Sequence, residues 1–344
     1  MKRKILLISA VTAISFASCS AQTPVGKYSV QATLSPDEDG ATAYIINFDN
    51  SEKIDSVIVD NGAAHFDGEI DAPTLARLIV GGDRYGTFIL EPGNIKLANK
   101  LASGTPLNEK MDKLDKEASA LVSRYRALPD DSASTAKRKE ILNRYNELFD
   151  SMMAQNIDNP IGYYIFLQKG YEMTLPELEQ AIAANPSLGK YVRVGKLIEA
   201  GRNKEKTSEG KKFVDFEITA PDGSSQRLSD YVGKGKYVLV DFWASWCGPC
   251  IRETAVIKDI LKEYGPKGLE VLGVAVWDEP DNTLAAIKKH DLPWPQILNA
   301  QSVPTDLYGI SGIPCIILFS PDGTIISRDK QDEELKAAVA AALK

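Results

Sequence analysis

Residues 237–250 read YVLVDFWASWCGPC. The first part, Tyr237 to Phe242, is an apolar run around a single aspartate, which is typical of a strand buried on both faces of a sheet. Cys247 and Cys250 follow, and the pattern after them is helical as far as Tyr264. A buried strand that leads into a CxxC at the start of a helix predicts an α/β fold that carries a redox-active cysteine pair.

The spacing of the two cysteines has a chemical reason. Two intervening residues let a disulfide close across one helical turn, and the helix N-terminus offers unpaired N–H groups and positive potential that favour the thiolate of Cys247. Cys250 lies one turn deeper, so we expect it to resolve a mixed disulfide. The alternative for any CxxC is a structural zinc site, which needs two further ligands at suitable spacing. We therefore expect no metal and no other cofactor.

Two more positions are candidates for the same site. Asp241 precedes Cys247 by six residues. If it is buried beneath the cysteines, desolvation raises its pKa and suits it to carry a proton for Cys250; the alternative is a strand-end aspartate that faces water.

Ile313-Pro314 precedes another apolar run, where a proline suits a special backbone geometry such as a cis bond. The alternative is an ordinary proline at the entry to a strand.

The rest of the C-terminal part alternates strands and helices. Strands are predicted over Leu269–Val276 and Cys315–Phe319, and helices over Thr283–His290 and Glu333–Leu343. This alternation predicts a domain at 213–344 with a central β-sheet flanked by helices.

These residues resemble the thioredoxin superfamily. Trp246-Cys247-Gly248-Pro249-Cys250 is identical to the active-site sequence of thioredoxins, Asp241 matches their buried acid, and Ile313-Pro314 matches their cis-proline loop. The leading hairpin at 216–228 and the extra sequence between Cys250 and Pro314 are similar to the exported TlpA/ResA branch and its AhpC/TSA-related relatives.

The resemblance implies an enzyme, a thiol–disulfide oxidoreductase of the protein-disulfide reductase type that faces the periplasm. It implies disulfide-containing protein substrates and a membrane thiol electron donor, and several members of the branch serve cytochrome c maturation. It also implies site residues of two kinds: catalytic Cys247, Cys250, Asp241 and Pro314, and substrate-binding Trp246, Gly248, Pro249 and Ile313.

Cys315 departs from the family pattern, in which threonine or serine usually follows the cis-proline. One interpretation is a small, buried and inert thiol in place of a hydroxyl. The other is a third redox-active sulfur close to the cysteine pair.

The N-terminal part has a different pattern. Short runs of strand composition, separated by turn signals such as Asp60-Asn61-Gly62, predict an antiparallel β-sandwich-type domain over 22–104. It resembles a small β-domain of unknown function that precedes thioredoxin modules in exported bacterial proteins. Apolar residues then recur at steps of three and four, which predicts a helical segment over 105–202. The polar stretch at 203–212 is predicted to be a linker.

Residues 1–21 are predicted to be a signal peptide, with a basic start and a thirteen-residue apolar core that is too short to cross a bilayer. Two cleavage sites compete. Cleavage before Cys19 would leave a lipidated cysteine and a membrane anchor, whereas cleavage after Ala21 would leave Gln22 first. Either product predicts a periplasmic or cell-envelope location.

Composition limits the remaining functions. The net charge of −7 and the lack of a basic stretch with interleaved aromatics argue against nucleic acid as a partner. A thiol peroxidase is one alternative, although no cysteine follows the Pro-x-x-x-Thr-x-x-Cys pattern of peroxiredoxins. A copper-binding or copper-delivery module is the other, with the two histidines, His65 and His290, far apart in sequence.

Overall fold

The computed structural model describes residues 26–129 and 131–344, so the predicted signal peptide and Cys19 lie outside the described residues. The chain divides into two compact units. One comprises the residues up to Asp150 together with Asn159–Ile161, and the other comprises Ser151–Asp158 and Gly162–Lys344. Among the helices of the described residues, none is long and apolar enough to span a membrane.

The first unit contains two four-stranded sheets that share one apolar core. The sheet orders are β4-β1-β7-β8 and β3-β2-β5-β6. The strands are β1 (Gly26–Thr33), β2 (Thr42–Asn47), β3 (Lys53–Ile58), β4 (Ala63–Ile70), β5 (Thr74–Val80), β6 (Asp83–Leu90), β7 (Gly93–Ala98) and β8 (Leu101–Ser103). The predicted β-rich domain is therefore confirmed.

Local sequence explains the hairpins of this unit but not every strand pairing. Asn61 and Gly62 adopt φ values of 50° and 67° between β3 and β4, a left-handed turn that asparagine and glycine adopt readily. The predicted antiparallel arrangement is wrong at one place, because β1 and β7 pair in parallel with Tyr28 opposite Gly93. Their pairing is long-range and is decided by the shared core rather than by a turn.

Five α-helices follow within the described residues of the segment that was predicted to be helical, and they divide between the two units. They are α1 (Pro106–Arg126), α2 (Thr135–Gln155), α3 (Pro160–Gly170), α4 (Leu175–Ala184) and α5 (Val192–Lys206). In α1 the buried positions include Leu114, Ala118 and Leu121. This is the stripe that the spacing of apolar residues predicts.

The predicted linker over 203–212 differs from the structure. Its first residues continue α5 to Lys206, and side-chain and backbone groups of the segment bond to the C-terminal domain. Asn203 donates to the carbonyl of Asp306 at 3.0 Å, and Arg328 donates to the carbonyl of Thr207 at 3.1 Å. Arginine, lysine and glutamate are good helix formers, so a charged composition here marks an exposed helix end rather than a free spacer.

The C-terminal domain has a five-stranded sheet of order β13-β12-β11-β14-β15 and a separate hairpin of β9 and β10. Strand β11 pairs in parallel with β12 and antiparallel with β14. The strands are β9 (Glu217–Thr219), β10 (Ser225–Arg227), β11 (Tyr237–Trp243), β12 (Leu269–Ala275), β13 (Gln296–Ile297), β14 (Cys315–Phe319) and β15 (Ile325–Arg328). The helices are α6 (Gly248–Tyr264), α7 (Pro280–Lys289), α8 (Val303–Tyr308) and α9 (Asp332–Ala342).

Alternation along β11 decides which side chains face the cysteine pair. Val240 and Phe242 belong to the apolar cluster on one face of the sheet. Leu239 and Trp243 belong to the cluster on the other face, together with Cys247 and Cys250. Because successive strand residues point to opposite faces, Asp241 lies on the face of the cysteines.

Candidate active site

The cysteine pair lies where β11 runs into α6. Cys247 is the N-cap residue of α6, and it forms a disulfide with Cys250. The Sγ of Cys247 lies 3.2 Å from the backbone nitrogen of Cys250, which donates to it. Pro249, in the first turn, has no N–H of its own to leave unpaired. Local sequence thus places the Cys247 sulfur at the positive end of the helix dipole.

The two sulfurs differ in their surroundings. Cys250 is fully buried, whereas Cys247 keeps 4% of its surface exposed. Gly248, Pro249 and Trp246 are exposed around them, and 62% of the Trp246 surface is open to solvent. Cys247 is therefore the sulfur nearer to an approaching substrate.

The Ile313–Pro314 peptide bond is cis, so Pro314 is not an ordinary proline at the entry to a strand. The carbonyl oxygen of Ile313 lies 3.7 Å from the Sγ of Cys247. Both residues of this loop are partly exposed. The loop therefore lies beside the Cys247 sulfur, within reach of a substrate.

Asp241 is buried, with 1% of its surface exposed, and its Oδ1 atom has no hydrogen-bond partner. Burial, and to a smaller extent the nearby carboxyl of Glu253, raises the pKa of Asp241 from 3.8 to about 8. This carboxyl group therefore holds its proton at neutral pH, which suits a group that exchanges protons with a neighbouring thiol.

Glu253 is a second acidic residue near the pair, and it was not among the residues predicted from the sequence. It lies on the buried face of α6, and its Oε1 accepts from the backbone nitrogen of Asp332 at 2.8 Å. Burial raises its pKa, and the hydrogen bond from Asp332 opposes that shift. Glu253 lies three residues after Cys250, on the apolar stripe of α6 that continues to Ile257. This spacing is the sequence signal that could have identified it as a buried acid.

Cys315 lies apart from the cysteine pair. It packs with Phe242 and Ile317 in the cluster on the opposite face of the sheet. Its Sγ donates to Oδ1 of Asp329 at 3.1 Å, and burial raises its pKa well above the usual value of a thiol. This placement favours the interpretation of an inert, buried thiol.

Within residues 26–129 and 131–344, no group of three or more histidine, cysteine, aspartate or glutamate residues is arranged to hold a metal ion. His65 lies on β4 and His290 follows α7.

The disulfide at the start of α6 lies beside a cis-proline loop and on the same sheet face as a buried carboxyl group. This arrangement is that of a thioredoxin-type thiol–disulfide oxidoreductase. Comparison with known proteins agrees. Residues 210–328 match the AhpC/TSA family, and residues 28–111 match a domain of unknown function, DUF4369.

A protein of Bacillus thuringiensis named thiol-disulfide oxidoreductase ResA is 30% identical over 130 residues, which are 38% of this chain and 73% of the relative. The ResA of Geobacillus thermodenitrificans is 31% identical over 134 residues, 38% of this chain and 76% of that relative. A solved thioredoxin domain of a Bacteroides vulgatus thiol-disulfide oxidoreductase is 29% identical, with a TM-score of 0.37, and it covers 40% of this chain and 99% of that structure.

The chain belongs to the ResA-like thiol–disulfide oxidoreductases of the thioredoxin superfamily, and it carries an additional N-terminal DUF4369 domain. It is therefore an oxidoreductase, and the family implies disulfide-containing proteins as its substrates.

Proposed function

We propose that this protein is a protein-disulfide reductase of the cell envelope in which Cys247 attacks and Cys250 resolves. The observation that carries the proposal is the unequal placement of the two sulfurs. Cys247 lies at the helix N-terminus beside the cis-proline loop, and Cys250 is enclosed beneath it. The helix end favours a thiolate at Cys247, and the thiolate is the attacking species.

The exchange proceeds in two steps that balance two electrons. The Cys247 thiolate attacks one sulfur of a substrate disulfide, so that a Cys247–substrate disulfide forms and the other substrate sulfur leaves as a thiolate. Cys250 then loses its proton and attacks Cys247. The substrate leaves as a dithiol, and the Cys247–Cys250 disulfide seen in the structure remains.

Asp241 is the proposed proton carrier for the second step. Its carboxyl lies on the same face of the sheet as Cys250, and its pKa of about 8 lies close to the usual pKa of a thiol. A small pKa difference makes proton transfer between the two groups nearly balanced in free energy. The minor ionised fraction of Asp241 takes the Cys250 proton as Cys250 attacks, and the protonated carboxyl gives that proton back to Cys250 when the disulfide is reduced again.

The substrate surface is proposed to combine the exposed residues around Cys247 with the cis-proline loop. Ile313 offers its backbone to an extended polypeptide, and Trp246 offers an exposed ring beside the attacking sulfur. Gly248 and Pro249 leave space in front of the helix end, because neither carries a long side chain.

We also propose an envelope location, with electrons supplied by a membrane thiol donor. The predicted signal peptide supports export, and a reductase in an oxidising compartment requires a source of electrons. Attachment through a lipid on Cys19 and a place in cytochrome c maturation stay predictions.

Trapping of the mixed disulfide tests which cysteine attacks the substrate and which resolves the mixed disulfide. Reduced Cys250→Ser protein should accumulate a covalent adduct with a peptide disulfide, because Cys247 still attacks and nothing resolves the product. The matched Cys247→Ser protein should form no adduct. Adducts that form equally in both variants, or only in Cys247→Ser, would refute the assignment.

The match to the AhpC/TSA family makes thiol peroxidase activity the second candidate. The assay for this activity measures the consumption of hydrogen peroxide by the reduced protein. We expect turnover no faster than that of an ordinary thiol, because the pair is arranged for resolution within a disulfide and the remaining described cysteine, Cys315, is buried. Rapid turnover that depends on a single cysteine would favour the peroxidase instead.

A further inference from the structure

We propose that Asp278 is a positioning residue that holds the active-site loop, residues 244–246, and thereby places Cys247 for attack. Asp278 lies in the segment between β12 and α7 and is not one of the site residues predicted from the sequence. The inference rests on the proposed function, because it assumes that Cys247 is the nucleophile.

The carboxylate of Asp278 accepts four hydrogen bonds. Ser245 donates through its backbone nitrogen to Oδ2 at 2.7 Å and through its hydroxyl to Oδ1 at 3.0 Å. Thr283 donates its hydroxyl to Oδ2 at 2.9 Å, and the backbone nitrogen of Glu279 donates to Oδ1 at 3.0 Å. Only 5% of the Asp278 surface is exposed. A buried carboxylate with two donors on each oxygen is fixed in place, because losing a donor would leave charge without a partner.

The loop that Asp278 holds is short. Three residues join the end of β11 at Trp243 to Cys247, and Ser245 is the middle one. The backbone nitrogen of Cys247 donates to the carbonyl of Ala244 at 3.1 Å. Because Ser245 is only two residues from Cys247, a shift of Ser245 also moves Cys247.

Trp277 adds a second contact from the same segment. Its carbonyl oxygen accepts the indole N–H of Trp246 at 3.0 Å, which holds the exposed ring beside Cys247. Trp277 has a φ of 53°, in the left-handed region that bulky residues rarely occupy. Gln301 donates to the carbonyl of Asp278 at 2.8 Å and helps to keep the segment in this conformation. Such unfavourable backbone persists where surrounding contacts determine it.

The position of the loop has a consequence for reactivity. The Cys247 sulfur accepts the Cys250 N–H only while Cys247 stays at the N-cap position. A loosened loop would weaken this stabilisation of the thiolate, so the midpoint of the pH profile for Cys247 reactivity would rise. A direct effect of the Asp278 charge would instead lower this midpoint, because removal of a nearby negative charge favours the Cys247 thiolate. The sign of the change therefore separates positioning from simple electrostatics.

The experiment measures alkylation of the reduced protein by iodoacetamide across pH, with mass spectrometry to locate the label. We expect Asp278→Asn to raise the midpoint by about half a pH unit and to slow alkylation at pH 7 about threefold. Ser245→Ala removes one of the four bonds and keeps the charge, so it should shift the midpoint in the same direction by less. Thr283→Val removes the bond from α7 to the same carboxylate and leaves both bonds from Ser245 in place, so it should leave the midpoint unchanged.

The variants also separate this inference from the proposed function. Label on Cys250 instead of Cys247 in the unaltered protein would refute the proposed function. Label on Cys247 with a midpoint that falls or stays unchanged in Asp278→Asn and Ser245→Ala would overturn the role of Asp278 alone. An equal rise in Thr283→Val would overturn it too, because it would indicate general loosening. If Asp278→Asn does not fold, Ser245→Ala, which retains the carboxylate and the backbone bond, decides the outcome.

Discussion

Replacement of Asp241 by asparagine should change how the stability of the C-terminal domain depends on pH. The pKa of Asp241 is about 8 in the folded protein, against 3.8 as its ordinary value. Between these values the unfolded chain has lost the proton that the folded chain keeps. The contribution of Asp241 to the free energy of unfolding is therefore fully present below about pH 4. It is lost progressively as the pH rises from there through 8.

The magnitude follows from the pKa difference. One pKa unit corresponds to about 1.4 kcal/mol, so Asp241 alone lowers the free energy of unfolding by about 1.4 kcal/mol for each pH unit between 5 and 7. Asparagine keeps the size of the side chain and cannot ionise. The advantage of Asp241→Asn over the unaltered protein should therefore grow by about 3 kcal/mol from pH 5 to pH 7.

Urea unfolding of the oxidised protein, followed by tryptophan fluorescence, measures this difference. All four tryptophans, at positions 243, 246, 277 and 294, lie in the C-terminal domain, so the signal reports that domain. The exposed carboxylate of Asp259, on α6, provides the matched control: Asp259→Asn should follow the pH dependence of the unaltered protein. Equal pH slopes in Asp241→Asn and the unaltered protein would refute the raised pKa.

Two other substitutions test parts of the structure outside the cysteine pair. Cys315→Ser should leave the exchange rate and its products unchanged, because Cys315 packs on the sheet face opposite the pair; altered products in a substrate-exchange assay would revive a third redox-active sulfur. Arg328→Met should destabilise the second unit by about 2–4 kcal/mol, because the guanidinium is buried and donates to Thr207 and to the carbonyl of Tyr308. If Arg328→Met has the same free energy of unfolding as the unaltered protein, the bonds from Arg328 do not anchor the end of α5.

The sequence predicts the parts of the site that depend on local pattern. The apolar run of β11 buries Asp241, the helical pattern places Cys247 at an N-cap, and the proline before β14 indicates the cis bond. Each of these features is decided by residues within one strand–helix or loop–strand unit, so a single sequence is enough to find them.

Features that depend on contacts distant in sequence are not predicted. Asp278 meets Ser245 across 33 residues, and nothing in the segment around it marks a hydrogen bond to the active-site loop. The parallel pairing of β1 and β7 and the bonding of Thr207 to Arg328 are of the same kind. A polar side chain in a loop has many possible partners, and only the fold selects one.

A redox titration of the purified protein measures directly whether Cys247 and Cys250 form the redox centre. The protein is equilibrated across glutathione and dithiothreitol buffers while the fluorescence of Trp243 and Trp246 reports the disulfide. We expect one two-electron transition that requires both Cys247 and Cys250, at a potential of about −250 mV or below, in the range of reducing thioredoxins. A transition near about −120 mV would indicate a disulfide-forming oxidant. A transition that survives the loss of either cysteine, or no transition at all, would contradict the assignment of this pair as the redox centre.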